Sequence, residues 1–332
     1  MPGGPGAVGA GTRVPVRTVP AGAIALGIQL PVQARSRLFA DGWEHGAGVE
    51  ELVAVTRAAE DAGLLYVGVC DHVAVPTDRA DTMGVTWYDP WTTLAYLAAV
   101  TSRVRLLTHV AVVALRHPLQ TAKTVATLDH LSAGRVILGV GAGHVVEEFA
   151  ALDVPFDGRG ARLDEAIDAI RAALDHEVAA HAGPTWRFAD VAIAPRPVQA
   201  TVPIWVGGSS PAALRRVAER GDGWLPQGTR LSQLPEQLAI LAAASGRDPA
   251  DHDLGATAPP MYLGEPSWDV GPHTRVGSAD ELAERIERYA AAGCSHVQIR
   301  LRSRDASELV DQLARVGEEL VPALGERRPV AS

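Results

Sequence analysis

Three histidines and one aspartate follow apolar segments of this sequence at points where chemistry is expected. Asp71 and His72 come after one apolar run, His109 ends the next, and His144 ends the glycine-rich stretch GVGAGH. Imidazole suits general acid–base work because its pKa lies close to neutral pH. Histidine is also a common metal ligand, but the first apolar run has neither an HxH pair nor a carboxylate, so no metal is expected.

A second glycine-rich segment, WVGGSSP, predicts an anion site at the start of a helix. Gly207 and Gly208 let the backbone approach a ligand closely, and Ser209 lies in the same loop. Ser210 suits the N-cap and Pro211 the first helical position, so the free amides of that helix would attract a phosphate. A plain tight turn explains the same residues. Neither glycine loop has the P-loop lysine or the GxGxxG spacing, and together they indicate a planar, phosphate-bearing cofactor.

Eight short apolar runs, alternating with helical patterns, must position these residues. Continuous apolar runs are typical of parallel strands that are buried on both faces. The predicted strands are 24–30, 64–70, 104–110, 135–140, 203–206, 223–225, 256–263 and 295–301. The predicted helices are 49–62, 90–100, 118–131, 162–174, 211–220, 234–244, 279–292 and 306–320.

The alternation predicts one (β/α)8 barrel domain, a TIM barrel, over residues 23–325, with an open doubly wound sheet as the alternative. In such a barrel the loops after the strands meet around the mouth, so the three histidines should converge there. Residues 176–200 contain Pro and Gly that break the pattern, and they predict an insertion with a short hairpin. Residues 1–22 are rich in Gly and Pro and predict a disordered N-terminal extension without a signal peptide.

Composition narrows the class of protein. The 332-residue chain is 47% hydrophobic and 21% charged, with a net charge of -9. These values are typical of a soluble globular protein and argue against a nucleic-acid surface, which needs clustered cations. No apolar run reaches the roughly 18 residues that a membrane helix needs. Cys70 and Cys294 have no CxxC partner, so neither a disulfide framework nor a zinc site is expected, and the cytoplasm is the simplest location.

Several stretches resemble the luciferase-like monooxygenase superfamily. They are DPWTTLAYLAAVTSRVRLLTHV, TLDHLSAGRVILGVGAGH, RGARLDEAI and PIWVGGSS followed by GDGW, within a match over roughly residues 24–320. The resemblance implies a (β/α)8 barrel that binds reduced FMN or the deazaflavin coenzyme F420. The chain is most similar to the deazaflavin-dependent branch, which implies an F420-dependent oxidoreductase that transfers hydride to or from a small organic substrate. Members of the superfamily commonly form homodimers.

The resemblance also implies roles for particular residues. Asp71 would contact the cofactor and His72 would donate a proton. His109–Val110 would form a non-prolyl cis peptide behind the cofactor ring. The further cofactor positions implied are Val112, Ala142, Gly143, Glu147 and the phosphate loop Gly207, Gly208, Ser209 and Ser210. Asp129, Ser132 and Arg135 of the TLDHLSAGR stretch precede a strand and are interpreted as structural.

The sequence departs from the family at three points, one of which is His109, where many relatives have glycine on the third strand. His144 stands where the deazaflavin-dependent dehydrogenases of sugar phosphates and alcohols carry a glutamate base, and it becomes the second predicted catalytic residue. The lysines that bind a sugar phosphate are missing, since the sole lysine, Lys123, lies on a predicted helix. Glucose 6-phosphate is therefore not expected as substrate, whereas the aromatic residues Trp43, Trp87 and Tyr88 of the predicted roof loops suggest an apolar or ring-bearing one.

Three other functions stay open on the sequence. The first is a monooxygenase that uses reduced FMN, because the same phosphate loop serves either cofactor. The second is a flavin- or deazaflavin-binding protein without turnover, suggested by the missing glutamate. An unrelated phosphosugar barrel is less suited, because no strand-borne lysine or carboxylate base lies near the phosphate loop.

Overall fold

The apolar runs form a closed barrel in a computed structural model that describes residues 14–36 and 40–326. The strands are β1 (Ala25–Gln29), β2 (Tyr66–Val69), β3 (Arg105–Thr108), β4 (Val136–Val140), β5 (Ala179–Ala182), β6 (Arg187–Val191), β7 (Ile204–Gly207), β8 (Gly223–Leu225), β9 (Asp253–Thr257), β10 (Met261–Leu263), β11 (Arg275–Gly277) and β12 (His296–Ile299). Eight of these described strands are parallel neighbours in the closed order β1-β12-β9-β8-β7-β4-β3-β2. The predicted (β/α)8 TIM barrel is confirmed.

Helices cover the outside of the barrel. They are α1 (Val49–Asp61), α2 (Ala80–Met83), α3 (Pro90–Ala98), α4 (Pro118–Leu131), α5 (Val146–Ala151), α6 (Arg159–Asp175), α7 (Pro211–Arg220), α8 (Leu234–Ser245), α9 (Ala279–Ala291), α10 (Ala306–Arg315) and α11 (Val321–Glu326), with a π-helical turn at Val316–Leu320. Short 3-10 helices lie at Gly42–His45, Thr77–Arg79, Val113–Leu115, Leu231–Gln233 and Pro249–Asp251. None of the helices in the described part of the chain is both long and apolar enough to cross a membrane.

Side chains along each strand alternate between the helix layer and the barrel interior, as the two-residue period of a strand requires. Tyr66, Trp205 and His296 point inward and form one aromatic layer, with the Trp205 and His296 rings stacked 4.3 Å apart. The next inward positions toward the carboxyl ends of β1, β9 and β12 are Gln29, Thr257 and Gln298. These ends therefore supply part of the polar floor of the barrel mouth.

One predicted strand differs from the structure. The predicted strand 256–263 splits into β9, which begins earlier at Asp253, and β10, which pairs with β11 outside the barrel. Pro259 and Pro260 separate the two strands because proline cannot donate a ladder hydrogen bond. The barrel strand begins with a polar residue, Asp253, so an apolar pattern could not find its start. The predicted hairpin in the insertion is present as antiparallel β5 and β6.

Residues 14–22 were expected to be disordered, but they contact the amino-terminal end of the barrel. The amide of Thr18 donates to Asp253 Oδ2 (2.6 Å), and its hydroxyl donates to the same carboxylate. The amide of Val16 donates to Asp222 Oδ1 (2.8 Å), and Val19 is buried. Buried carboxylates need hydrogen-bond donors, and this segment supplies them. The rest of the predicted extension, residues 1–13, lies outside the described residues.

The TLDHLSAGR stretch has the structural role that was predicted. Arg135 donates to the carbonyl oxygens of Ala98 (2.9 Å) and Val104 (3.0 Å), at the amino-terminal side of the barrel. Asp129 accepts hydrogen bonds from the amides of Val198 (2.8 Å) and Gln199 (3.0 Å). Both side chains therefore join loops at the barrel end that lies opposite the mouth.

Candidate active site

A histidine–carboxylate pair lies at the mouth of the barrel after β2. His72 Nδ1 is 3.2 Å from Glu148 Oε2, and the His72 side chain is 10% exposed. Glu148 Oε1 also accepts hydrogen bonds from the amides of Val73 (2.5 Å) and Ala74 (3.2 Å). The carboxylate therefore fixes the imidazole and the chain that follows it. The other ring nitrogen, Nε2, makes no hydrogen bond within the described residues.

Ionisation of Glu148 is favoured despite its burial. Burial alone would raise the pKa of its carboxyl group, but the hydrogen bond from His72, the charge of that ring and the amides of Val73 and Ala74 together lower it. At neutral pH Glu148 is therefore a carboxylate beside the His72 ring. This arrangement assigns the Nδ1 proton of His72 to the hydrogen bond with Glu148.

Sequence reasoning missed Glu148 and chose its neighbour Glu147. Val145 and Phe149 are fully buried, and Glu148 shares their inward side of α5. Glu147 is exposed and pairs with Arg79 (3.3 Å). The i, i+4 spacing of Val145 and Phe149 in the sequence was the available signal, because position i+3 lies on the same helix face.

Asp71 is buried behind the mouth rather than exposed in it. Its Oδ1 and Oδ2 accept from the two terminal nitrogens of Arg116 (2.8 and 2.5 Å), and Oδ2 accepts from the amide of Val112 (2.8 Å). With 4% of its surface exposed, Asp71 positions the loop after β3. The carboxylate therefore acts on the site through Val112 and Arg116.

His144, the second predicted catalytic residue, lies on the solvent side of the pair. Its ring centroid is 5.6 Å from that of His72, with the rings nearly perpendicular. Partial desolvation and the nearby His72 lower the pKa of His144, while Glu148 opposes the shift. The Trp87 ring contacts the edge of His72 from another loop, with centroids 4.5 Å apart. His72 is thus held on three sides.

The end of β3 carries the expected cis peptide between His109 and Val110. Val110 is half-buried, and its side chain lies over two glycines. A Cβ atom on Gly141 would be 2.5 Å from Val110 Cγ2, and one on Gly207 would be 2.9 Å from Val110 Cγ1. These glycines leave room for Val110, which is a packing reason that the sequence did not suggest.

His109 is directed away from Glu148 and into the barrel. Its Cβ lies 3.0 Å from the position that a Cβ on Gly68 would take, inside the strand layer. Burial lowers the pKa of His109 to about 4, so the ring is neutral at neutral pH. His109 therefore does not join His72 and His144, although all three follow barrel strands.

The loop before α7 has donors available for an anion. Gly208 adopts a φ of 107°, a conformation that favours glycine, and its carbonyl accepts from Trp224 Nε1 (2.7 Å). Ser210 caps α7 by accepting from the amide of Ala213 (3.2 Å). The amides of Ser209, Ser210 and Ala212 make no hydrogen bond within the described part of the chain.

The side chain of Ser209 is already occupied. Its hydroxyl group lies 2.7 Å from the Thr229 hydroxyl and 3.0 Å from the carbonyl oxygen of Gln227, and it ties the loop after β8 to the loop before α7. Ser209 is therefore available to an anion through its amide alone. On the β4 side, Ala142 and Gly143 are half-buried, and Val112 packs with Phe149 beneath them.

A cavity of about 250 Å³ opens in the other half of the mouth. Its walls are the ends of β1, β9 and β12, the chain around Trp43 and the residues that follow β12, and we call it the β1–β12 cavity. In the strand order, β1, β12 and β9 lie across the barrel axis from β7, β4 and β3. None of the predicted catalytic or cofactor residues lines this cavity. The predicted residues follow β2, β3, β4 and β7 instead.

The sequence matches one protein family and several known proteins. The family model described as luciferase-like monooxygenase matches residues 26–267. An uncharacterized protein of Mycobacterium tuberculosis is 32% identical over 259 residues, which are 72% of this chain and 92% of that protein.

Two relatives have named activities. The F420-dependent hydroxymycolic acid dehydrogenase of Mycobacterium tuberculosis is 35% identical over 205 residues, or 60% of this chain and 56% of that enzyme. The F420-dependent glucose-6-phosphate dehydrogenase of Beutenbergia cavernae is 36% identical over 208 residues, or 61% of this chain and 60% of that enzyme.

Solved structures share the fold. An F420-dependent secondary alcohol dehydrogenase in complex with an F420-acetone adduct has a TM-score of 0.72 and 18% identity, covering 91% of this chain and 99% of the other. A riboflavin lyase with modified FMN and riboflavin has a TM-score of 0.75 and 19% identity, covering 92% of each chain. At these identities the likeness establishes the barrel alone.

Proposed function

The chain belongs to the luciferase-like monooxygenase family, and within it we propose an oxidoreductase that uses the deazaflavin coenzyme F420 to transfer hydride to or from a small organic substrate. The observation that carries the proposal is the His72–Glu148 pair at the mouth of the barrel. Two relatives at 35% and 36% identity are named as F420-dependent dehydrogenases, which favours the deazaflavin over FMN.

The residues of the rim fit a cofactor with a planar ring and a phosphate. Val110 is half-buried and offers an apolar surface, and the glycines at 141 and 207 leave room for its side chain. Ser209, Ser210 and Ala212 offer amides that have no partner among the described residues, at the positive end of the α7 dipole, where a phosphate is stabilised. A bound deazaflavin would supply the carbon that accepts or donates hydride.

The protein's own part in the reaction is proton transfer and exclusion of water. His72 Nε2 can accept a proton from a substrate hydroxyl when the substrate is oxidised, or donate one to a carbonyl oxygen when it is reduced. Glu148 holds the Nδ1 proton and stabilises the imidazolium form as the ring gains charge. Trp87 packs against the His72 ring and shields it from solvent. His144 is close enough to exchange protons between His72 and bulk water.

A titration of the purified protein with oxidised F420 and with FMN tests the proposal. We expect saturable F420 binding, on the order of micromolar, and FMN binding at least tenfold weaker. Fluorescence of each cofactor reports its binding without any substrate. Tighter binding of FMN, together with oxygen consumption supported by a flavin reductase, would instead favour the monooxygenase.

The His72→Ala variant separates an enzyme from a protein that only binds the cofactor. If His72 moves a proton, the variant keeps F420 binding and loses hydride transfer with every substrate that the wild type uses. An unchanged rate in this variant would contradict the role of His72.

A further inference from the structure

The β1–β12 cavity has one polar end, at the barrel axis. Gln29 and Gln298 line it from neighbouring strands, and Thr257 lines it from β9. Neither glutamine side chain makes a hydrogen bond within the described residues. An amide group carries both donors and an acceptor, so this end can bind either a hydroxyl or a carbonyl oxygen.

The charged groups of the cavity wall already have partners. Asp41 accepts from Arg300 (3.1 Å) and also pairs with Arg302. Glu44 accepts from the amides of Val32 (2.9 Å) and Asp41 (2.7 Å). Because these charges are balanced inside the wall, the described lining leaves no unpaired cation for an anionic ligand.

The outer part of the cavity is apolar. Leu30, Ala258 and Leu309 contribute aliphatic surface, and the Trp43 ring is held in place by a hydrogen bond from Nε1 to Ser303 Oγ (3.0 Å). A fixed aromatic ring adds contact area at a low entropic cost. The volume of about 250 Å³ is roughly eight times the 30 Å³ that a water molecule occupies in the liquid.

We propose that the β1–β12 cavity binds a neutral alcohol or carbonyl compound of about eight non-hydrogen atoms. Its oxygen lies at Gln29 and Gln298, and its carbon skeleton lies against Trp43 and the aliphatic wall. This ligand site is separate from the proposed proton-transfer site, because neither His72 nor any predicted cofactor residue lines the cavity. Binding there therefore does not depend on the cofactor.

Fluorine NMR on the apoprotein tests the binding with three matched probes. We expect 4-fluorobenzyl alcohol to bind saturably, at about millimolar concentration, and at least fivefold more tightly than 4-fluorotoluene or 4-fluorobenzoate. Equal binding of the toluene would contradict the polar end of the site. Equal or tighter binding of the benzoate would contradict the neutral class of ligand.

Two variants locate the probe. Ala258→Leu fills the cavity and should weaken binding of the alcohol at least tenfold, whereas Ala98→Leu, equally buried on α3 and away from the cavity, should not. Gln298→Leu should remove the preference for the alcohol over the toluene. Thermal unfolding of each variant verifies that it is folded, and unchanged probe binding in a folded Ala258→Leu protein would overturn the assignment.

F420 titration of the same proteins separates this inference from the proposed function. Retained F420 binding with loss of the alcohol in Ala258→Leu supports the cavity as a separate site. Absence of F420 binding in the wild type would contradict the proposed function and leave the probe result unaffected.

Discussion

His72 is positioned by a carboxylate that comes from a different βα unit. Glu148 accepts from the ring and from the two residues that follow it, so one buried side chain sets both the orientation of the imidazole and the path of the loop after β2. A carboxylate in this place favours the imidazolium form of His72 during proton transfer. Glu148 is therefore a positioning residue that acts through His72.

Replacing Glu148 by Gln tests this role. The amide can still accept from the Val73 amide, but it carries no charge and no longer stabilises imidazolium. We expect a turnover that is lower by roughly 10- to 100-fold, and a pH–rate profile displaced to lower pH. Steady-state rates with F420 across pH, at saturating substrate, measure both effects.

Glu60→Gln provides the matched control. Glu60 also accepts backbone amides, from Ser102, Arg103 and Val104, but it does so at the amino-terminal end of the barrel. This variant should keep the wild-type pH–rate profile. If the pH–rate profile of Glu60→Gln is displaced as well, the displacement does not depend on contact with His72. Glu148 would then act only on the stability of the barrel.

The elements were predictable where sequence signals are local. Pro118 and Pro211 begin α4 and α7, and Ser210 caps α7, so these boundaries agree with the prediction. The phase of α5 was not predictable from charge alone, since Glu147 and Glu148 are chemically equal. Their difference comes from the burial of Val145 and Phe149, and Phe149 packs against Val112 and Ala114 in the segment after β3. Likewise, Gly141 and Gly207 suggested a ligand cradle, whereas their contact with Val110 is tertiary.

The amino-terminal segment is an element that bonds two buried carboxylates, Asp222 and Asp253. Thr18 donates both its amide and its hydroxyl to Asp253, at the start of β9. Thr18→Val keeps the shape of the side chain and removes the hydroxyl donor. We expect the free energy of unfolding to fall by about 1–2 kcal/mol, because the buried acceptor loses a partner.

Urea unfolding measures that change. Thr127→Val is its control, because the Thr127 hydroxyl bonds only within an exposed turn of α4, to the carbonyl of Lys123. Its effect should be within about 0.5 kcal/mol of zero. Equal stability of the two variants would show that the Thr18 hydroxyl adds nothing to the stability of the barrel.

At the scale of the whole molecule, the barrel interior contains two histidines whose protonation is disfavoured by burial. Burial lowers the pKa of His296 to about 3 and that of His109 to about 4, and the charge of His109 adds to the shift at His296. Both ring nitrogens of His296 are buried without a hydrogen-bond partner in the described part of the chain. The folded state therefore keeps these rings neutral, whereas the unfolded chain protonates them near pH 6.5.

The sign of the pH dependence follows from these depressed values. Above about pH 6.5 both states hold neutral rings, and the histidines make no contribution that varies with pH. As the pH falls below that value, the unfolded state binds protons first, so the free energy of unfolding decreases until the folded pKa is reached. One pKa unit corresponds to about 1.4 kcal/mol, so His296 accounts for up to about 3 kcal/mol between about pH 6.5 and pH 4.5.

His296→Phe should flatten this acid limb. The phenyl ring can stack on Trp205 as the imidazole does, and it has no nitrogen to protonate or to leave unpaired. We expect the loss of stability between pH 7 and about pH 4.5 to be smaller than in the wild type by about 3 kcal/mol. His273→Phe changes an exposed histidine in the same way, and this variant should keep the wild-type dependence of the unfolding free energy on pH. Urea unfolding at several pH values measures this dependence. The same dependence on pH in the wild type and in His296→Phe would contradict a neutral histidine at the centre of the barrel.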